Sequence, residues 1–267
     1  MSKAKSKVTV AIHKLTSCSG CQLAFLNQGK ALLSLLEIVE FKHFIEAGVY
    51  EPDAKVDLAF IEGSVSTPED LKRLQEVRNN AKLLVSIGAC ATSGGVQALR
   101  NLADGDVWKR GVYPHPEFIA TLDTSTPVAE HVKIDFELWG CPITVQQIRH
   151  FVQQLTLGTL PQPEMEKLCM ECKRQQNVCV VVTRQAPCLG PVTRTGCGAL
   201  CPEFGKACYG CFGASEQPNA RSLANRFSGL GLVSEEVAQR FAAIHSHEPA
   251  FKAQVEHWQG LSVREIE

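Results

Sequence analysis

Twelve cysteines in a chain of 267 residues are the feature most able to do chemistry, and their spacing is that of metal ligands. Cys18 and Cys21, Cys169 and Cys172, and Cys208 and Cys211 each form a Cys-x-x-Cys pair. Twelve is three sets of four, the number that three four-thiolate centres need, whether the metal is zinc or iron in an iron–sulfur cluster. They are too dilute for a disulfide-dense secreted scaffold, in which Cys exceeds roughly 8–10% of a short chain. Their distribution is uneven. Cys18, Cys21, Cys90 and Cys141 are scattered over the first half, whereas Cys169, Cys172, Cys179, Cys188, Cys197, Cys201, Cys208 and Cys211 crowd into one segment.

The elements around the first four explain why they are scattered. Val8–His13, Val56–Ile61, Leu83–Ile87 and Ile134–Leu138 read as strands. They alternate with helical patterns at Leu23–Leu36 and Thr144–Leu155, and with a helix start at Thr67-Pro68-Glu69-Asp70: a Thr cap, Pro at the first helical position, acids in the first turn. Such alternation predicts an α/β fold, an open parallel sheet of flavodoxin-like type. Cys18 and Cys21 then follow the first strand, Cys90 the third and Cys141 the fourth. Ligands of open α/β sheets bind beyond the carboxyl ends of the strands, so four thiols are aimed at one sheet edge.

The eight-cysteine segment has only one compact apolar run, Val178–Val182, and is expected to need metal centres to fold. Leu157-Gly-Thr-Leu-Pro-Gln-Pro163 reads as a linker. A boundary near residue 160 therefore divides a flavodoxin-like domain, 1–160, from an iron–sulfur domain, 161–267. Beyond Ser222 an amphipathic pattern through Leu223, Phe227, Leu230, Val237, Phe241 and Ile244 predicts two closing helices.

Three chemistries compete for the cysteines. A thioredoxin-like redox pair at Cys18 and Cys21 leaves Cys90 and Cys141 without a role. Zinc knuckles in the second segment leave the sheet-edge thiols unexplained, since zinc has no redox chemistry. Iron–sulfur clusters account for all twelve, because each iron needs a soft, deprotonated sulfur ligand. Gly20, Gly88, Gly140, Gly196, Gly198 and Gly210 lie beside the cysteines, where a missing Cβ lets backbone approach a cluster. Spacing and composition together reach a multi-cluster electron carrier.

At these residues the sequence resembles the small subunit of nickel–iron hydrogenases and the related 20 kDa subunit of NADH:quinone oxidoreductase. The resemblance is carried by Ser17-Cys-Ser-Gly-Cys21, Ile61-Glu-Gly-Ser64, Ile87-Gly-Ala-Cys-Ala-Thr-Ser-Gly-Gly95, Trp139-Gly-Cys-Pro-Ile143, Cys188-Leu-Gly-Pro-Val-Thr-Arg-Thr-Gly-Cys197 and Cys208-Tyr-Gly-Cys211. It implies that Cys18, Cys21, Cys90 and Cys141 ligate a proximal 4Fe-4S cluster. It also implies that Cys197, Cys208 and Cys211 belong to a medial cluster and Cys188 to a distal one. Cys201 stands ready to complete a medial 4Fe-4S cubane, where the membrane-associated enzymes have proline. Cys169 replaces their first distal ligand, a histidine, and joins Cys172, Cys179 and Cys188. The Cys179-to-Cys188 spacing is longer than the family's usual one. The quinone-reductase relatives have adjacent proximal cysteines and lack a second domain, so the hydrogenase side is the nearer resemblance.

Three all-cysteine cubanes look like the cytoplasmic bidirectional branch, the delta subunits of sulfhydrogenase or NADP-linked type. The small subunit of F420-non-reducing, heterodisulfide-reductase-linked hydrogenases is the alternative, and a non-hydrogenase iron–sulfur subunit a further one. The resemblance implies an electron-transfer subunit of an oxidoreductase complex with no catalytic residue of its own. Nickel and iron would lie in a large-subunit partner, and further partners would carry flavin, NAD(P) and iron–sulfur clusters.

Other residues are read more plainly. Glu62 ends a strand beside the proximal site, where it either supports the site through its loops or a proton path, or is structural. His13 is expected to be a packed or capping residue, and His245 and His247 to face solvent. Trp139 and Phe136 are expected in the core, with Arg184 and Arg194 offsetting cluster charge. With 27 basic and 28 acidic residues, no basic field advertises nucleic acid or anionic lipid. No apolar run approaches the ~18 residues of a membrane span. The basic Met1–Lys7 is followed by an apolar stretch, Val8–Ile12, too short for a signal peptide. Cytoplasmic localisation is expected.

Overall fold

A computed structural model describes residues 7–159, 161–162 and 166–266. The segment Met1–Ser6, and Leu160 and Pro163 of the expected linker, lie outside the described residues. The chain runs β1 (Val8–Lys14), α1 (Gly20–Leu26), α2 (Lys30–Ile38), β2 (Val39–Phe44), β3 (Val49–Tyr50), β4 (Val56–Glu62), α3 (Pro68–Asn80), β5 (Ala81–Ile87), α4 (Gly88–Ser93), α5 (Gly105–Val112), β6 (Phe136–Leu138) and α6 (Val145–Thr156). There follow α7 (Leu168–Arg174), α8 (Val180–Arg184), α9 (Leu200–Glu203), α10 (Ala220–Ser228), α11 (Ser234–His245) and α12 (Pro249–Ile266).

The sheet order is β3-β2-β1-β4-β5-β6, all parallel except the short edge strand β3. The five parallel strands taken in chain order therefore run 2-1-3-4-5, the flavodoxin-like order, whose switch point lies between β1 and β4. Residues alternate between two covered faces, as strand periodicity demands. Val10, Ile12, Leu58, Phe60, Val85 and Ile87 pack with Phe25, Ile148 and Phe151 from α1 and α6. Ala11, Ala59, Ile61 and Leu84 pack on the opposite face with Leu74 and Val77 from α3.

The helix start at Thr67 is a full capping box. Asp70 N–H donates to Thr67 Oγ1 at 3.1 Å, and Thr67 N–H to Asp70 Oδ2 at 2.9 Å. The same Asp70 oxygen accepts from Thr16 Oγ1 at 2.8 Å, which ties the loop after β1 to α3. Two expectations are corrected. The helix predicted over Leu23–Leu36 is two helices, interrupted where Gly29 takes φ +56°; its second half leads without a turn into β2, a strand that no sequence signal announces. Three helices rather than two close the chain, because Phe251, Val255 and Trp258 give α12 a narrow apolar stripe that packs with Phe227, Val237 and Phe241. Among the described residues no helix is long and apolar enough to cross a membrane.

Candidate metal centres

The first four thiols sit where the strand ends place them. Cys21 lies in the first turn of α1, and its backbone N–H donates to Glu62 Oε1 at 3.0 Å, joining the start of that helix to the end of β4. Cys90 lies in α4, directly after β5, and Ala89 N–H donates to Gly140 O at 2.7 Å, joining that helix to the Cys141 loop. Gly88 makes the close approach possible: at φ +82°, a Cβ there would stand 2.3 Å from Cys21 Sγ.

Electrostatics show which thiols are neighbours. Burial pushes the Cys21 thiol up, and the Glu62 carboxylate, Cys90 and Cys141 push it further. Cys90 is pushed up to about 12 by burial, then by Cys141, with smaller contributions from Cys18 and Glu62. Cys141 is raised by burial and by Cys18 and Glu62. Cys18, Cys21, Cys90 and Cys141 are thus one group, gathered at the switch-point edge.

By the same criterion the eight later cysteines form one linked set, in which Cys188 is acted on by both Cys179 and Cys201 and Cys208 by both Cys188 and Cys211. Cys169 is raised by burial and then by Cys188 and Cys179, with Lys173 and Lys167 opposing. Cys172 is pushed up to about 11 by burial, Cys169, Cys188 and Cys179. A Cβ on Gly190 would lie 3.4 Å from Cys188 Sγ and 3.7 Å from Cys169 Sγ, so these two thiols flank one point. Cys197 is raised by burial, then by Glu171 and Cys201. Burial also pushes Cys208 up, as do Cys188 and Cys211, against a Gly210 N–H that donates to its sulfur at 3.3 Å. Cys211 is pushed up to about 12 by burial and by Cys197, Cys141 and Cys201. The later set adjoins the first group, since Cys211 feels Cys141, and within it the Cys208 N–H donates to Cys188 Sγ at 3.2 Å.

The donor set, thiols throughout, is the ligand type that iron–sulfur clusters take. Among the described residues no three His, Cys, Asp or Glu side chains converge as the ligands of one ion would. Buried, mutually repelling thiols favour the neutral form, and only a strong local positive charge reverses that.

Glu62 is 2% exposed, with Oε1 on the Cys21 amide, and burial raises its carboxyl against hydrogen bonds from Cys21 and Gln22. His13 is packed, stacked on His43 with centroids 4.5 Å apart. Phe136 packs against the sheet core. Trp139 is half-buried beneath Arg194, whose guanidinium carbon lies 4.1 Å from the ring centroid. Arg184 is exposed and donates to Gly205 O at 2.7 Å.

The expectation for the tail histidines is corrected. His245 is 1% exposed, hydrogen-bonded to Ser93 Oγ at 2.5 Å and to Cys211 O at 3.1 Å. His247 pairs with Glu130 at 2.7 Å and is half-buried. The polar stretch around them sits at the end of α11, which folds back onto α4. His245 and Ser93 are separated by 152 residues, and no local pattern signals their contact.

Fold and thiols define a class: a flavodoxin-like protein whose sheet edge and following segment carry clustered thiols. Residues 18–155 match the family of the NADH ubiquinone oxidoreductase 20 kDa subunit. The chain is 34% identical to the delta subunit of sulfhydrogenase 2 of Pyrococcus furiosus, a match covering 86% of this chain and 96% of that one. The chain belongs to this family, on its hydrogenase small-subunit side. It is also 27% identical to a subunit of the F420-non-reducing hydrogenase of Methanocaldococcus jannaschii, over 89% of this chain and 93% of that one. A crystal structure of an NAD+-reducing [NiFe]-hydrogenase in the H2-reduced state contains a chain that superposes with a TM-score of 0.55 at 30% identity, covering 59% of this chain and 96% of that one.

Proposed function

We propose that this chain is the iron–sulfur electron-transfer subunit of a heteromeric, cytoplasmic nickel–iron hydrogenase of the sulfhydrogenase or NAD(P)-linked type. The reading is carried by the run of interacting thiols that passes from the switch-point edge of the sheet, through Cys141 to Cys211 and through Cys208 to Cys188, in a chain of this family. Cys18, Cys21, Cys90 and Cys141 would hold a first 4Fe-4S cluster; Cys197, Cys201, Cys208 and Cys211 a second; Cys169, Cys172, Cys179 and Cys188 a third. Such clusters, when bound, supply one-electron steps whose potentials follow their hydrogen bonds and exposure. The chain's own residues gather the thiols, exclude water from the buried ones and point amides at sulfur, as Gly210 N–H does at Cys208. The division near residue 160 separates the part holding the first group from the part holding the other two. Nickel would lie in a large-subunit partner, with flavin- and NAD(P)-binding and iron–sulfur subunits completing the complex.

The test is anaerobic purification through a tag on this chain, with iron, sulfide, nickel and zinc assayed in whatever co-elutes. About twelve iron and twelve sulfide per chain, with nickel in a larger partner, is expected. Iron without nickel would leave an electron carrier of another complex. Zinc without sulfide would overturn the reading. The match to the F420-non-reducing hydrogenase across most of both chains favours a second reading, in which the co-eluting partner is a heterodisulfide-reductase-type complex rather than a flavin protein acting on NAD(P).

A further inference from the structure

The polar contacts of His245 join parts of the chain that are far apart in sequence. The residue ends α11, and its neighbours Val237, Ala238, Phe241 and Ala242 are buried in the C-terminal helical layer, so the imidazole is carried on a rigid support. A carbonyl can only accept, so Nε2–H donates to Cys211 O at 3.1 Å; in the neutral ring Nδ1 must then accept, and the single Ser93 hydroxyl proton goes to it at 2.5 Å in preference to Ala89 O at 3.1 Å. Ser93 is the last residue of α4, the helix of Cys90. Trp139, two residues before Cys141, packs on the imidazole with ring centroids 5.6 Å apart. Gly213, two residues after Cys211, lies so close under Trp139 that a Cβ there would stand 2.3 Å from Cε3 and 3.4 Å from His245 Cε1. One buried ring therefore touches the segments carrying Cys90, Cys141 and Cys211.

These segments meet where the first thiol group adjoins the second: the Cys141 thiol and backbone N–H both act on the Cys211 sulfur. A second tie from the same corner, His247 to Glu130 at 2.7 Å, holds the end of α11 on the sheet side.

We infer that His245 is the positioning residue that fixes the second thiol group against the first and so sets the electron step across the Cys141–Cys211 contact. The inference rests on the proposed electron-transfer function. In that step one electron leaves the centre held by the first group, which is oxidised by one, and reaches the centre held by the second, which is reduced by one. No bond or proton changes place. The imidazole is neither ligand nor carrier; it holds the Cys211 loop through the carbonyl and the Cys90 helix through the hydroxyl.

The test compares anaerobically purified complexes containing His245→Ala, His245→Gln or Ser93→Ala with the unaltered complex. Iron and sulfide are counted, and electron paramagnetic resonance is recorded after reduction with dithionite, which needs neither hydrogen nor nickel. For His245→Ala the expected result is full iron and sulfide, loss of the magnetic interaction between the first two centres, and several-fold slower delivery of electrons from the first centre to the second. His245→Gln, which keeps an N–H donor for Cys211 O, should restore most of the interaction. A merely structural role would lower the melting temperature and leave the interaction of assembled centres unchanged; that result, in His245→Ala, overturns the inference. If the Ala variant does not accumulate, Ser93→Ala decides, since it removes one hydroxyl: a weakened interaction supports the clamp and an unchanged one overturns it. Absence of iron and sulfide from the unaltered complex would overturn the proposed function and the clamp together, whereas full iron without nickel would leave the clamp standing and remove the hydrogenase alone.

Discussion

Gly88→Ala should damage the first thiol group while leaving the sheet intact. Gly88 has φ +82°, where an L-residue is about 1–2 kcal/mol less favourable than glycine. The added Cβ would stand 2.3 Å from Cys21 Sγ, so the sulfur must move by ~0.7 Å or more to reach 3.0 Å, a distance below which real Cβ contacts essentially never fall. Cys21 is buried, and turning it off its rotamer costs about 0.5–1.5 kcal/mol more. The combined loss is on the order of 2–3 kcal/mol, a fall of roughly 5–10 °C in Tm for a chain near this size. Because the displaced atom is one of the proposed first ligands, iron and sulfide should fall by about a third. Gly29→Ala is the control: its φ of +56° carries the same kind of backbone cost, but a Cβ there has nothing within 4 Å. Metal analysis and thermal melts of both variants decide the matter. Gly88→Ala with full iron and the same melting temperature as Gly29→Ala would show that the Cys21 contact constrains nothing.

Three further outcomes are expected. Thr67→Ala removes the hydroxyl that caps α3 and should lower stability by about 0.5–2 kcal/mol. Asp70→Ala should cost more, since its carboxylate also accepts from Thr16 and Ser66; chemical denaturation of both variants checks the order. Asp57 is held down to about 2 by Lys82, then by Thr9, so its contribution is present above the ordinary carboxylate range and is lost as pH falls from about 4 to 2. With its side chain 38% exposed, solvent screening leaves about 1 kcal/mol, which Asp57→Asn should remove at pH 7 and not at pH 2 in thermal melts. In the reduced, metal-stripped chain, iodoacetamide should modify the exposed Cys18 before the buried Cys21, whose thiol burial pushes up and whose frame is packed without metal. Mass spectrometry that finds Cys21 labelled as fast would contradict the burial of that thiol.

The sheet was largely legible because its signals are local. Val56–Ile61 and Leu83–Ile87 are short apolar runs, and Thr67-Pro68 with Asp70 is a cap readable from three residues. Placing Cys18, Cys21, Cys90 and Cys141 at strand ends needed only the order of those elements. Strand β2 was hidden because Ile38 passes into Val39 with no turn residue between α2 and the strand, so helix and strand patterns fuse; Gly29 was the available sign that the first helix had to break. α12 was hidden because Phe251, Val255 and Trp258 are a thin stripe on a polar helix. The burial of His245 is illegible in the sequence for a different reason. Its neighbours are polar, but its partners Ser93, Cys211 and Trp139 come from three other places in the chain, and sequence pattern carries no information about such a meeting.

The two halves hold their thiols by different means. The sheet has full apolar layers on both faces, built from Phe25, Phe60, Ile61, Leu74, Ile87 and Phe151, so the strand ends that present Cys18, Cys21, Cys90 and Cys141 are positioned by hydrophobic packing. The later thiols sit on a small cluster in which Cys188 and Cys208 are themselves core members beside Leu168, Val180 and Ala199. Burying a thiol there raises its pKa, as for Cys188 and Cys208, so at neutral pH the metal-free segment holds protonated sulfur, and binding metal must release those protons. A cationic centre bound there would favour the thiolate forms of Cys169, Cys179 and Cys188, whose charges alone would repel one another. Metal loading is therefore expected to stabilise this segment, whereas the first group stands on a frame that packing already provides. The three C-terminal helices join the two regimes: their apolar layer includes Leu189 and Val192, which flank the later thiols, and His245 carries that anchorage to the sheet edge.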